Sequence, residues 1–516
     1  MKKILSIIFL FCYGCVALAQ TQAELITAYT DRDCYLAGER LCVRVDVSVS
    51  GKPSPSRVAY IEIADTHRMY AQCMVALKDG QGWAEISLPT SMHSGCYQLA
   101  AYTRASIKAG ADALHHSIIG VVNADKLSRQ DDIVIMPAQS DRVPAIQGQY
   151  KAGETAHITL PEANTYGGCI SIKKIGLETN LTASSISELS AMSGSQPWVC
   201  PEVEGHIVRA KVAEGVNTSA WQTRLALVGK AASLYDGKRQ QDGSYLFYTT
   251  GIYGNLPVMV NAYDSIGRPV RMELESPYLA ILPKTLPKLT VYCQEETLRK
   301  QASVARKQAI INQQMSVDSL NHSVAFMNAQ PELIYDLDEY TKMDDVKELL
   351  LEFVKGIRTK REHGVSQLFT YNPDTKSYSK WAALVLLDGM PVYDIDEILK
   401  YEAHLIKYIQ IYSGIFNFGS SFCCGVISFI TRGGRLSNYK LKAGEELMSY
   451  FFPQYRPDFV NYIDNHFGTI LWIPSYQGKE LTLSVPSEPG IYQITFQAKS
   501  KEGKQIASNT FIEVTH

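Results

Sequence analysis

The stretch Leu384-Val-Leu-Leu-Asp-Gly-Met-Pro-Val-Tyr393 decides how the second half of this chain is read. A short apolar run fit for a buried strand ends at Asp388-Gly389, which is first of all a turn, with Gly supplying positive φ. Pro391 and Val392 follow before Asp394-Ile-Asp396 opens a helical stretch. Further on come Ile409-Gln-Ile-Tyr-Ser-Gly414 and Phe418-Gly-Ser-Ser-Phe-Cys-Cys-Gly-Val-Ile-Ser-Phe-Ile-Thr-Arg-Gly-Gly434. The order is strand, tight turn, helix, strand, Gly-rich loop, strand. Gly414, Gly419, Gly425, Gly433 and Gly434 read as backbone requirements of tight strand connections.

Outward from this stretch, an α+β domain is expected over 335–440. Thr341-Lys-Met-Asp344 reads as a cap for a helix over 345–356 that ends at Gly356. Strands around 365–371 and 381–387 and a helix over 394–403 complete the unit. Upstream, residues 295–323 contain neither Gly nor Pro and place Leu298, Ala302, Ala305 and Ala309 at helical spacing, so one long helix is expected there. Its Arg299-Lys300 and Arg306-Lys307 pairs read as a solvated face.

The remainder alternates with period two. Leu41-Cys-Val-Arg-Val-Asp-Val47, Val58-Ala-Tyr-Ile-Glu-Ile63, Trp83-Ala-Glu-Ile-Ser-Leu88 and Gly95-Cys-Tyr-Gln-Leu-Ala-Ala-Tyr-Thr103 are short runs punctuated by Gly, Pro and Asp. They imply an antiparallel sandwich over 20–126. Tyr150-Lys-Ala-Gly-Glu154 echoes Tyr35-Leu-Ala-Gly-Glu39, which suggests a second, short sandwich over 132–198. A third is expected over 201–292, and a small C-terminal one over 441–516. Phe451-Phe-Pro-Gln-Tyr-Arg-Pro457 reads as a linker clamped by its aromatics, or as a contact surface for peptide or glycan. The fold class is thus multidomain and mainly β: tandem antiparallel β-sandwiches with a long helix, an α+β domain and a C-terminal sandwich.

The chain has 516 residues, 46% hydrophobic and 20% charged, with a formal charge of -2. That length calls for several cores, and the charge gives no general drive toward nucleic acid. Lys2-Lys3, an apolar run over 4–18 and the small-x-small site Ala17-Leu18-Ala19 read as a signal peptide over 1–19, so export is expected. Cys15 raises a lipoprotein alternative, but Cys12-Tyr13-Gly14 makes a poor lipobox. No later segment reads as a membrane-spanning helix. Nine cysteines follow the leader, widely spread and without a CxxC pair. Cys34 with Cys42, or Cys73 with Cys96, could pair across neighbouring strands; small buried residues are the other reading.

No motif for catalysis stands out, and no catalytic residue, cofactor or metal site is assigned. Cys423 or Cys424 would need a partnered His, for which His404 is the near neighbour in sequence. His115-His116 are adjacent and would point to opposite faces of a strand, so they read as loop or surface residues.

Residues 384–434, with their "DG.PV", "I..I.+.G" and "YG….GVI.I.T+.G" patterns, resemble the second half of the plug domain of TonB-dependent outer-membrane receptors. The resemblance implies an α+β plug fold in which Asp388, Gly389, Pro391, Gly414, Gly419, Gly425 and Gly434 are structural. The pattern "TDRD.Y.AGE" with "G.Y.L.AYT" is similar to the macroglobulin-like domains that open many Bacteroidetes surface and periplasmic proteins. The Asp242-Gly-x-aromatic corner weakly resembles carboxypeptidase-regulatory-like sandwiches. A thioester motif is missing, so protease trapping is not carried over. Together these resemblances imply a non-enzymatic exported protein of the periplasm or outer membrane, an interaction or assembly module with an orphan plug. Its expected partner is an envelope protein or a barrel. The alternative is an accessory subunit of an outer-membrane nutrient-uptake system whose plug engages a separate barrel.

Overall fold

The computed structural model describes residues 23–110, 113–123, 133–137, 145–161, 165–176, 178–179, 181, 200–212, 222–229, 232–264, 267–293, 326–339, 343–362, 364–418, 421–455, 461–462, 468–501 and 504–516, with isolated positions between 296 and 307. The expected leader, Thr341 and Gly419 lie outside them. So does most of the expected helix over 295–323, although its described positions are helical and Leu298 is buried. The protein is mainly β, built from several sheets. It divides into one unit of Met1–Val203, Tyr278–Met315 and Pro453–His516, and another of Glu204–Pro277 and Ser316–Phe452.

In the first unit, strands Glu24–Thr30, Arg40–Val49, Lys52–Pro53 and Gln81–Ser87 form one sheet. Strands Cys34–Leu36, His115–Val122, Gly95–Tyr102, Val58–Ala64 and Met69–Ala76 form the other. Leu41, Val43 and Val45 alternate inward to meet Ile61, Ile63 and Leu99 in one core. The intervening residues Cys42 and Arg44 are buried as well. Cys42 clusters with Tyr29, Cys169 and Trp472, and the Arg44 guanidinium donates to the carbonyls of Pro474 (2.7 Å) and Gly167 (3.2 Å).

Those partners correct the expected domain boundaries. The second and C-terminal sandwiches, expected separately over 132–198 and 441–516, are a single structure. Strand Thr165–Lys174 pairs with Thr469–Tyr476 on one side and Gly490–Ser500 on the other. Ile146–Lys151 runs parallel to Gln505–Thr515, and Thr155–Thr159 pairs with Glu480–Ser484. Without Thr165–Lys174 between them, Thr469–Tyr476 and Gly490–Ser500 are not neighbours, so neither stretch forms this sheet alone and each completes the other's core, with Ile170 and Ile172 against Ile494 and Phe496. The third sandwich is redrawn too. Leu289–Tyr292 leaves it to pair in parallel with Ile133–Met136 in the first unit. Met448–Phe451, expected within the C-terminal sandwich over 441–516, instead pairs with Asn255–Tyr263 in the second unit, and Phe452 of the expected linker enters that sandwich core.

The cysteines of the described residues are all free thiols. Cys34 and Cys96 pack in one cluster, Cys73 in the main core and Cys42 beside Cys169, so neither candidate pair shares a core. His115 and His116 lie on strand His115–Val122, not in a loop, and burial lowers both imidazoles to about 4.

The α+β part of the second unit comprises β1 (Leu333–Asp336), α1 (Val346–Glu352), β2 (Ile357–Glu362), β3 (Val365–Asn372), β4 (Ser377–Tyr378), β5 (Leu384–Leu387), β6 (Met390–Pro391), α2 (Ile395–Leu399), β7 (Ile406–Phe418) and β8 (Ser421–Thr431). One sheet runs β1-β7-β8-β5-β6, with β5 and β8 parallel, and a second runs β2-β3-β4. α1 is capped by Asp345, whose carboxylate accepts from the Glu348 amide at 2.9 Å. It stops at Glu352, short of Gly356, which has φ +89° and accepts from the Tyr371 amide as β2 begins. α2 is likewise shorter than 394–403, because a 3-10 turn over Ala403–Leu405 leads into β7.

Two outcomes test this architecture. A fragment of residues 441–516 alone should be unfolded by circular dichroism, whereas an independent domain would give a strand spectrum and a cooperative melt. Gly389 has φ +88°, and a Cβ there would sit 2.4 Å from the Leu227 carbonyl. Gly389→Ala should therefore cost more than about 1 kcal/mol in urea unfolding of the full chain.

Candidate interaction site

Asp388 and Gly389 form the two-residue turn between β5 and β6, both with positive φ (+46° and +88°). The Asp388 carboxylate is buried. Oδ1 accepts from the Thr431 amide at 2.7 Å, and Oδ2 accepts from the Thr431 hydroxyl at 2.6 Å and the Leu436 amide at 2.7 Å. Its carbonyl accepts from the Gly229 amide of the sandwich at 2.7 Å. With its oxygens so engaged, this side chain organises the loop after β8.

The other motif residues are placed separately along the sheet. Pro391 is buried on β6 opposite Leu386. Gly414, with φ +101°, lies at a bulge in the β7–β8 pairing between Tyr412 and Ile415. Gly425 allows β3 to approach β8, because a Cβ there would meet Thr370 Oγ1 at 2.0 Å. Gly434, with φ +65°, donates from its amide to the Thr431 carbonyl and hydroxyl oxygens at 3.1 and 3.0 Å. The described motif residues thus sit at joints of the fold, and among them none converges with another on a ligand site.

What the motif does build is a groove beside the β7–β8 hairpin, a cavity of about 280 Å³. Leu384, Val385, Val392 and Ile395 give it apolar walls, and Val365 and Phe422 lie at its exposed edge. From the sandwich strand Gln222–Leu227, Arg224 lines the same groove while only 5% exposed. Its guanidinium pairs with Asp236, whose other oxygen accepts from Ser421 Oγ at 3.1 Å, and it lies 5.9 Å from the Phe418 ring. Arg224 Nε is buried without an acceptor. Burial raises the Tyr393 phenol, and Tyr393 packs 4.6 Å from Tyr263 between ring centres.

Cys423 also lines the groove, but burial first, and then Cys424, push its thiol up to about 11. A thiol held protonated in this way is a poor nucleophile at neutral pH. His404 precedes β7 at one end, while Cys423 pairs with Phe416 near the other, a span of roughly 30 Å at strand rise. Chemically, the groove offers apolar walls and a guanidinium neutralised by Asp236. It suits the capture of an apolar side chain. Sequence reasoning missed Arg224, Asp236 and Tyr393, because they come from two domains with no shared pattern.

No family model matches the sequence, and no curated protein matches it. Among solved structures, native Escherichia coli alpha-2-macroglobulin is 9% identical with a TM-score of 0.25, over 96% of this chain and 40% of that one. Salmonella alpha-2-macroglobulin reacted with methylamine is 10% identical with a TM-score of 0.17, over 95% and 23%. Dimeric latent PorU from Porphyromonas gingivalis is 8% identical with a TM-score of 0.14, over 96% and 34%. The chain spans less than half the length of these macroglobulins, and superpositions this loose assign no equivalent residues.

Proposed function

We propose that this chain is a non-enzymatic exported envelope protein, an interaction or assembly module in which β-sandwiches carry a domain of the TonB-receptor plug type. The observation that carries the reading is the groove beside the β7–β8 hairpin. Its charged pair, Arg224 with Asp236, is already neutralised, and Phe422 stands 61% exposed at its edge. An exposed aromatic beside an apolar slot is the usual anchor arrangement of a protein contact. The partner is an envelope protein that inserts an apolar side chain. The accessory-subunit reading is favoured by Ile415, 69% exposed toward the end of the same hairpin, where a barrel wall would meet it.

The test is a photo-crosslinker at Phe422 in cells. A discrete adduct is expected, and a barrel in that adduct selects the accessory-subunit reading. Phe422→Asp should abolish capture of the same partner while changing stability by no more than about 0.5 kcal/mol. Arg224→Leu, which strands Asp236, should instead destabilise the protein by about 3 kcal/mol. A stable Phe422→Asp protein that retains its partner would overturn the groove as the contact.

A further inference from the structure

The sheet β2-β3-β4 turns one face inward and one to solvent. On β3, Ser366, Leu368 and Thr370 are buried on one face; alternation puts Val365, Gln367, Phe369 and Tyr371 on the other, where Phe369 is also buried, with Arg358 over its ring. The register sets Arg358 opposite Phe369, Lys360 opposite Gln367 and Tyr378 opposite Tyr371. Arg358, Lys360, Tyr371 and Tyr378 therefore share the outer face. The Arg358 guanidinium lies 4.7 Å from the Tyr378 ring centre and 5.4 Å from that of Phe369, stacked and held in place. Just beyond β4, Trp381 is 59% exposed with Lys380 Nζ 5.8 Å from its ring.

Charge gathers on the same segment. Residues 355–381 carry Lys355, Arg358, Lys360, Arg361, Lys376 and Lys380 against only Glu362 and Asp374, in a chain of formal charge -2. Lys360 pairs with Glu362, and Arg361 lies 3.9 Å from Asp396. Among the described residues, Arg358, Lys376 and Lys380 form no ion pair. The sheet thus presents uncompensated cations interleaved with a half-exposed Tyr pair and an exposed Trp.

We propose that this basic–aromatic face seats on a bilayer surface bearing anionic phosphate headgroups. The cations match the headgroup phosphates, and Trp381, Tyr371 and Tyr378 have the apolar body and polar edge that suit the interfacial layer. Because Arg358 is already stacked between two rings, little side-chain freedom is lost when it meets a phosphate. The inference goes beyond the groove. It draws on the exported reading only for where such a bilayer would be met.

Flotation of the full chain with vesicles tests it. Binding is expected to vesicles of phosphatidylcholine mixed with phosphatidylglycerol, to weaken as salt rises, and to be lost on phosphatidylcholine alone. Each neutralised cation should lower partitioning about fivefold, so R358Q/K376Q/K380Q should lose about a hundredfold. The charge-keeping R358K/K376R/K380R should stay within a few fold, and an unchanged thermal midpoint shows that both variants are folded. Equal binding to neutral vesicles, no binding to anionic ones, or a folded neutral variant that binds like the native chain would overturn the proposal. Crosslinking through Phe422 should persist in the triple variant, so failure of the membrane face and failure of the groove are told apart.

Discussion

Strand Thr165–Lys174 is the piece on which the first unit depends. It is flanked on both edges by strands from residues 469–500, and it works on both faces. Ile170 and Ile172 go into one core, while Ser171 and Cys169 face the first sandwich. There the Ser171 hydroxyl donates to the Asp31 carbonyl, and the Asp31 carboxylate gathers Tyr35 OH, the Cys42 amide and Thr469 Oγ1. A buried carboxylate needs such donors, because an unpaired one costs far more than each bond returns. The two sandwiches of this unit are therefore joined by satisfied polar groups as well as by Tyr29 and Trp472.

The second unit uses the same device at Asp388. A carboxyl group buried behind a two-residue turn fixes the loop after β8, and the bare Gly389 lets that turn approach the sandwich strand carrying Leu227. That approach brings Arg224 and Asp236 beside Val392 and Tyr393 and so creates the groove. Surface chemistry then differs by location. The groove is apolar with a neutralised pair, and the outer face of β2-β3-β4 is basic and aromatic.

Local patterns were legible in the sequence where neighbouring residues carry the cause. Asp388-Gly389 forms its turn, the alternation of 41–47 gives a strand, and the apolar run 384–387 is a buried strand. Pairing over long distance was not legible. Nothing in Tyr150-Lys-Ala-Gly-Glu154 or in Gly490-Ile-Tyr-Gln-Ile-Thr-Phe496 says that the strands beside them share one sheet, since alternation fixes a face and leaves the neighbour open. The groove was hidden for the same reason. The basic face did leave a trace in Arg358, Lys360, Tyr371 and Tyr378, but only the register shows that these positions point the same way.

The interleaved sheet also sets a timetable. As the ribosome works along the chain, residues 165–174 emerge about three hundred residues before the strands that will flank them. Until then Ile170 and Ile172 sit on unpaired edges, in the condition that invites pairing with another chain. Everything between, including the whole α+β domain, is made while that sheet waits. A cell producing this protein must keep the waiting strand covered, and a stalled or clipped chain would be left with an open edge.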